Sequence, residues 1–273
     1  MSVEAADPRS SDVEELLAPL RRDPGSSAVF CDIDGTLAPI VERASAAAVP
    51  AEARSVMRAL ADRYALVGCL SGRAAEDART LVGVDELVYI GNHGFERLLP
   101  GAAQPELDPA LAGNEGVATE FVGRLDADEL ASLGLRTEDK GPIQALHWRG
   151  ATDESAAEER AREIGTDAAG RDLLPHWGRK VLEIRPGVHL NKGTALAELL
   201  AERRMSKALY GGDDRTDVDA FRCLRDLRAA GELQAAVCVG IASEEGPREV
   251  GEESDLLVDG PDGFLDLLRL LAA

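Results

Sequence analysis

The sequence predicts an α/β protein: a parallel sheet with helices on both faces, carrying a smaller α/β module inserted into the chain. Three observations carry that expectation. Short apolar runs alternate with amphipathic segments over most of the 273 residues, the pattern of repeated strand–helix units that stack into a sheet covered on both sides. The alternation breaks off near residue 105 and resumes near residue 184. The runs outside that break end in polar clusters, at the carboxyl ends of strands where a parallel sheet binds its ligands.

Taken in order, residues 1–25 are an N-terminal extension with a helix expected from Val13 to Arg21. The core is expected over 26–104 and 184–273, and the insert over 105–183. In the core, AVFCDI, YALVGCLS, ELVYIGNH, KALYGGDD and AAVCVG are the strand candidates. They are apolar, rich in β-branched residues and bounded by turn formers. AEARSVMRALADR, KGTALAELLAERR and DVDAFRCLRDL show the 3.6-residue period of helices. In the insert, ELDPALAGNEGVATEFVGRL reads as helix, IQALHWRG as strand, TDESAAEERAREIGTDAAG as an acidic helix and KVLEIRP as strand.

Composition narrows the function. A hydrophobic content of 45% suits a globular protein, and a formal net charge of -20 argues against nucleic acid and anionic membrane as partners, since both carry the same sign. The four cysteines, Cys31, Cys69, Cys223 and Cys238, lack a CxxC spacing and read as small apolar thiols in a reducing compartment. The start of the chain has neither a basic nor an apolar leader region, and no apolar run is long enough to span a membrane. A cytoplasmic location is expected.

Chemistry concentrates at four strand ends. In VFCDIDGTLAPI, Asp32 and Asp34 fall on one side of the backbone as the first strand leaves the core. One turn-forming aspartate would be ordinary; two like charges repel unless a cation or a shared proton lies between them. A hard divalent cation such as Mg2+, which takes one or two carboxylates together with phosphate oxygens, resolves the conflict. CLSGR offers the Ser71 hydroxyl and a backbone N–H at Gly72 for a phosphate oxygen. Lys192 stands at a helix start, where the dipole disfavours a cation and an anion would explain it. Asp213, Asp214 and Asp217 follow a Gly-Gly turn; a helix N-terminus enriched in acid accounts for one or two of them but less readily for three.

Two aspartates, a hydroxyl, a lysine and an acidic cluster in that order resemble the haloacid dehalogenase superfamily of hydrolases, from about Val29 onward. The resemblance implies a Rossmann-like core with an inserted cap domain, and Mg2+ as cofactor. It implies that Asp32 is the nucleophile that becomes phosphorylated and Asp34 the general acid and base. Thr36, Ser71, Gly72 and Lys192 would bind the phosphoryl group. Asp32, the Asp34 main-chain carbonyl, Asp213 and Asp214 would hold the metal, with Asp217 as a further ligand or a partner behind them.

Within that superfamily, DIDGTLAPI, SGR, GNHGFE, EDK followed by HWR, EIRP, NKGTAL and GGDDRTDVDAF are similar, in order, to trehalose-6-phosphate phosphatases. Trp148 and Asn191 depart from that family, which often has a tyrosine and an acid there. The resemblance implies hydrolysis of trehalose 6-phosphate, the last step of trehalose biosynthesis, with a trehalose-phosphate synthase as a possible partner. Other sugar phosphates, such as sucrose phosphate or mannosyl-3-phosphoglycerate, and a non-catalytic regulatory role stay open.

Lysine is scarce, occurring at Lys140, Lys180, Lys192 and Lys207, and the first three fall in EDK, GRKVLEIRP and NKGTAL. Ammonium and guanidinium are not interchangeable donors. Lys140 and Lys180 are therefore expected to donate to sugar hydroxyls, with Glu138 and Glu183 accepting; surface ion pairs are the competing reading. His147 and Arg149 share a strand face and either reach the sugar or brace the cap. His93 reads as structural or sugar-adjacent, Trp148 as cap core, and His176 and His189 receive no role.

Overall fold

The computed structural model describes residues 10–41, 46–243 and 246–273. The chain begins with helix α1 (Ser11–Arg22), strand β1 (Ser27–Cys31), α2 (Ala51–Arg63), β2 (Leu66–Leu70), α3 (Ala75–Val82), β3 (Val88–Gly91), β4 (Glu96–Leu98) and β5 (Glu106–Leu107). The insert contributes α4 (Val117–Val122), α5 (Ala127–Ser132), β6 (Arg136–Lys140), β7 (Ile143–His147), α6 (Glu154–Ala169), β8 (Leu173–Gly178) and β9 (Val181–Pro186). After it come α7 (Lys192–Glu202), β10 (Lys207–Gly212), α8 (Arg215–Ala229), β11 (Ala235–Ala242), α9 (Arg248–Glu253), β12 (Leu256–Asp259) and α10 (Gly260–Ala272).

Two units result, one of residues 1–106 with 190–273, the other of residues 107–189. The expected return to the core at residue 184 is corrected to Leu190: it would cut β9, whose residues 181–184 pair with β7, through the middle. The helix expected over residues 106–125 shrinks to α4. Pro109, Gly113 and Gly116 interrupt the preceding stretch, as their lack of a donor or of backbone restraint dictates.

In the first unit the strands run β12-β11-β10-β1-β2-β3-β4-β5. The pairs from β12 to β3 are parallel and β3–β4 is antiparallel. Strand alternation sorts β1 between two apolar layers. Val29 and Cys31 point to a layer with Leu17, Met57, Leu60, Phe264 and Leu268, from α1, α2 and α10. Ala28 and Phe30 point to the opposite layer with Leu196, Leu199, Phe221 and Leu224, from α7 and α8. Fully burying side chains of that size contributes about 1.5–3 kcal/mol each. Residue α1 Val13, Leu17 and Leu20 are buried in the first layer, so this helix is part of the core rather than an extension.

The second unit is a four-stranded antiparallel sheet of order β6-β7-β9-β8. Leu146, Leu182 and Ile184 on one face pack against Phe121, Ala157, Ala161 and Ile164 of α4 and α6. Trp148 is buried in this layer, as expected of cap core. Among the described residues, no helix is long and apolar enough to cross a membrane.

Candidate active site

β1 and β10 pair in parallel with Cys31 beside Gly211, and the Asp32 N–H extends the ladder by donating to the Gly211 carbonyl at 2.9 Å. The chain therefore leaves both strands at the same edge of the sheet, and residues distant in sequence meet there. Asp32, Asp213 and Asp217 are all buried and each offers a carboxylate oxygen within 4.8 Å of the others. Gly35 makes the approach possible: its φ of +92° suits glycine, and a Cβ there would lie 2.1 Å from Asp213 Oδ2.

Lys192 is the first residue of α7 and is 1% exposed. Its Nζ donates to Asp32 Oδ1 at 2.9 Å and to Asp217 Oδ1 at 2.7 Å. The anion that its place at a helix start called for is this carboxylate pair. Burial alone would lower its pKa, but Asp217 and Asp32 more than offset burial and hold the ammonium well above its ordinary range. Asp217 is fully employed: the Tyr210 hydroxyl donates to Oδ1 at 2.6 Å, and the N–H groups of Asp213 and Asp214 donate to Oδ2 at 3.0 Å each.

Crowded carboxylates away from water resist ionisation. Burial, opposed by Lys192 and reinforced by Asp217 and Asp213, raises Asp32 well above the carboxylate range. Burial, then Asp217 and Asp214, push Asp213 up to about 7. Burial takes Asp217 to about 6 in spite of Lys192. Burial acts on Asp214 too, but Lys192 and hydrogen bonds from Thr216 outweigh it and hold Asp214 at about 2.

Several expected residues take other positions. Asp214 Oδ1 caps α8, accepting from the N–H groups of Thr216 and Asp217 at 2.7 and 3.2 Å, so Asp217 rather than Asp214 completes the cluster. Thr36, expected on the phosphoryl group, donates its hydroxyl to Asp213 Oδ1 at 3.0 Å. The Asp34 carboxylate lies outside the cluster, gripped on both oxygens by Arg73 at 2.6 and 2.7 Å. Sequence reasoning missed Arg73, although it is the third residue of the SGR motif. Ser71 is buried, with its hydroxyl accepting the Arg73 N–H at 3.2 Å. Gly72 gives room to the His93 ring, which a Cβ would meet at 2.6 Å.

In the second unit, register places Glu138, Ala145, Glu183 and His176 in one row across the four strands. Lys140, His147 and Arg185, two residues along their strands, share that face. Glu183 is 5% exposed and accepts from Lys140 at 2.9 Å and from Arg185 at 2.6 and 3.1 Å. Glu138 meets His147 Nε2 at 2.7 Å, a bond that lowers the pKa of the acid. Arg185 was not foreseen; the alternation EIR, two residues on from Glu183, was the available signal. Lys180 departs from the row: it occupies the β8–β9 turn with φ +57° and pairs with Glu154 at 2.6 Å. Arg149 lies beyond β7, its guanidinium donating to the Arg179 carbonyl at 3.4 Å.

The core sheet thus brings two aspartates after β1 together with a buried lysine and an acidic cluster beside β10. A haloacid dehalogenase-like hydrolase from Bacteroides thetaiotaomicron shares the fold, with a TM-score of 0.63 and 14% identity over 90% of this chain and 99% of that one. The Candida albicans trehalose-6-phosphate phosphatase C-terminal domain shares it with a TM-score of 0.71 and 20% identity over 95% and 96%. The trehalose-phosphatase family model matches residues 30–256, and the chain belongs to that family. It is 32% identical over 262 residues to the Zea mays trehalose 6-phosphate phosphatase RA3, covering 89% of this chain and 69% of that protein. It is 38% identical over 208 residues to a Mycobacterium avium trehalose-phosphate phosphatase, covering 72% of this chain and 51% of that protein. A Mycobacterium tuberculosis protein named an uncharacterized glycosyl hydrolase is 40% identical over 210 residues, covering 72% of this chain and 15% of that protein.

Proposed function

We propose that the chain is a Mg2+-dependent phosphatase that hydrolyses trehalose 6-phosphate to trehalose and phosphate. The observation that carries the reading is the buried Asp32 held by Lys192 beside Asp213, in a chain whose family is that of trehalose phosphatases. In this reading Asp32 attacks phosphorus, the sugar oxygen departs as the P–O bond breaks, and Asp34 supplies its proton. Water then attacks the aspartyl phosphate, giving up a proton to Asp34 and releasing Asp32 and inorganic phosphate. The guanidinium of Arg73 grips both oxygens of Asp34. The first step requires that grip to be released.

The donor set fits a hard divalent cation. Three buried carboxylates against one ammonium leave two negative charges, and burial drives Asp32 and Asp213 toward their neutral forms. Asp32 and Asp213 would hold Mg2+, with the Asp34 main-chain carbonyl as a further proposed ligand. Asp217, its oxygens already committed, braces the site from behind. When bound, the metal neutralises charge on the phosphoryl oxygens. Lys192 orients Asp32 and meets the same oxygens.

The raised acids make the metal effect depend on pH. A carboxyl whose folded pKa lies above its unfolded value stabilises the fold at low pH and loses that contribution as pH rises through the folded value. The metal-free chain is therefore expected to lose stability between about pH 4 and 7 on account of Asp213 and Asp217, at about 7 and 6. Mg2+ should raise the melting temperature at pH 8 and have little effect at pH 5. Equal Mg2+ shifts at both pH values would count against this acid cluster as the metal site.

Phosphate release from trehalose 6-phosphate, sucrose phosphate and mannosyl-3-phosphoglycerate tests the substrate directly. Fastest hydrolysis of either of the others would replace the reading. The Candida albicans trehalose synthase regulatory protein C-terminal domain has the same fold, with a TM-score of 0.62; failure to turn over any sugar phosphate would favour such a role. For sugar recognition, Lys140→Ala is the cleaner variant, because Glu183 keeps Arg185 as its partner. It should reduce specificity for trehalose 6-phosphate by about ten- to a hundredfold, roughly 1–3 kcal/mol, and spare a small aryl phosphate. Equal losses on both substrates would assign Lys140 to holding the sheet together.

A further inference from the structure

The other face of the four-stranded sheet carries a feature that phosphate chemistry does not use. Trp177, on edge strand β8, pairs in register with Leu182 and so lies out of phase with Glu183, on the helix-covered side. There a groove of about 690 Å³ opens against α6, lined by Trp148, Trp177, Glu158, Arg162, Thr166 and Lys180 among others. The chain has two tryptophans in all, and both are here. Their rings meet edge to face, with centroids 6.3 Å apart and planes at 70°. Trp148 is buried while Trp177 is 45% exposed. Trp148 thus anchors an indole that water still reaches.

The opposite wall is shaped to that indole. Gly165 lies inside α6, where alanine would be favoured by about 1 kcal/mol, and a Cβ there would sit 2.9 Å from Trp177 Cζ2. The charges at the rim are matched: Arg162 donates to Glu158 at 2.6 Å and Lys180 to Glu154 at 2.6 Å. An anion would have to draw a cation from its partner. A neutral polyol can accept from Arg162 or Lys180 and donate to Glu158 with both pairs intact. An exposed indole face ringed by matched donors and acceptors suits a pyranose, whose C–H edges lie on the ring while its hydroxyls reach the rim.

We propose that this groove is a second saccharide site, taking a neutral pyranoside and distinct from the polar face that carries Glu138, Lys140 and Glu183. It also gives Lys180, which departs from that face, a sugar-facing position. Because both tryptophans line the groove, intrinsic emission of the full chain reads it directly. Titration with trehalose and with maltose should give a saturable change, with half-saturation in the millimolar range of a one-sided open site. Ala169→Arg fills the groove from an exposed position in the last turn of α6, where a cation is favoured. It keeps both indoles, and should weaken the response at least about tenfold, a loss of about 1.4 kcal/mol. Trp177→Ala should lose the saturable change, and phosphate release from trehalose 6-phosphate should be unchanged in both variants. A flat titration in the unsubstituted chain, or a response that survives Ala169→Arg, overturns the proposal. So does a concentration-dependent dimer in sedimentation that Trp177→Ala abolishes, which would make the groove a contact between copies.

Discussion

Asp32→Asn should fold, keep its place beside Lys192 and lose phosphate release by roughly four orders of magnitude or more. The amide oxygen of asparagine can still accept the hydrogen bond that Asp32 Oδ1 takes from Lys192 at 2.9 Å, so the geometry has reason to survive. What disappears is the lone pair on a charged oxygen that attacks phosphorus. Stability should move in the opposite direction from activity. The Asp32 pKa is raised in the metal-free fold, chiefly by burial. Such a group favours the folded state below its unfolded pKa and opposes it above the folded one. At pH 8 without metal the uncharged asparagine should therefore melt no lower than the parent, and the Mg2+ stabilisation should shrink because one ligand is gone. Activity within tenfold of the parent would end the assignment of Asp32 as nucleophile. A collapsed melting temperature would show instead that the carboxylate is needed for the fold.

The parallel core was legible because its signals are local. Val29 to Cys31 and Leu66 to Leu70 are short apolar runs buried on both faces, and the amphipathic period of Ala51–Arg63 marks α2. Two strands missed in the insert lack such signals. β6 is RTEDK, polar because one of its faces carries the charged row and its edge is open, and β8 is interrupted by Pro175. Which acids meet was harder still. Asp213, Asp214 and Asp217 look equivalent along the chain, but one turn of helix separates their duties: Asp214 caps α8, and Asp217 points back beneath Asp213 to Lys192. The grip of Arg73 on Asp34 and of Arg185 on Glu183 depends on side-chain reach that spacing does not encode. Lys180 misled for a similar reason, since the turn after Gly178 carries it off the row of Glu183.

Lys192→Met should be the most destabilising single change at the site, and its pH dependence should identify the reason. Methionine nearly matches the lysine stem in volume, so packing around the 1%-exposed side chain is kept while the ammonium is lost. Two buried carboxylates, Asp32 and Asp217, then lose the partner that met them at 2.9 and 2.7 Å. Removing one member of a buried ion pair costs about 3–5 kcal/mol, because the remaining charge is left in a medium that cannot solvate it. Those acids escape the penalty by taking up protons. Their folded pKa values should rise further above the unfolded value, so the stability they provide is present at low pH and lost as pH increases. The deficit measured by urea unfolding of the metal-free protein should accordingly be large at pH 8 and much smaller near pH 5. Lys192→Met combined with Asp217→Asn should recover part of the stability at pH 8, since one stranded charge is gone and asparagine can keep its oxygen on the Asp213 and Asp214 N–H groups while its NH2 donates to the Tyr210 oxygen. Phosphate release should stay lost in the double variant, because Asp32 and the phosphoryl oxygens still lack their cation. A deficit of the same size at both pH values would mean that Lys192 acts through packing rather than charge. Recovered turnover in the double variant would mean that its only task is to neutralise Asp217.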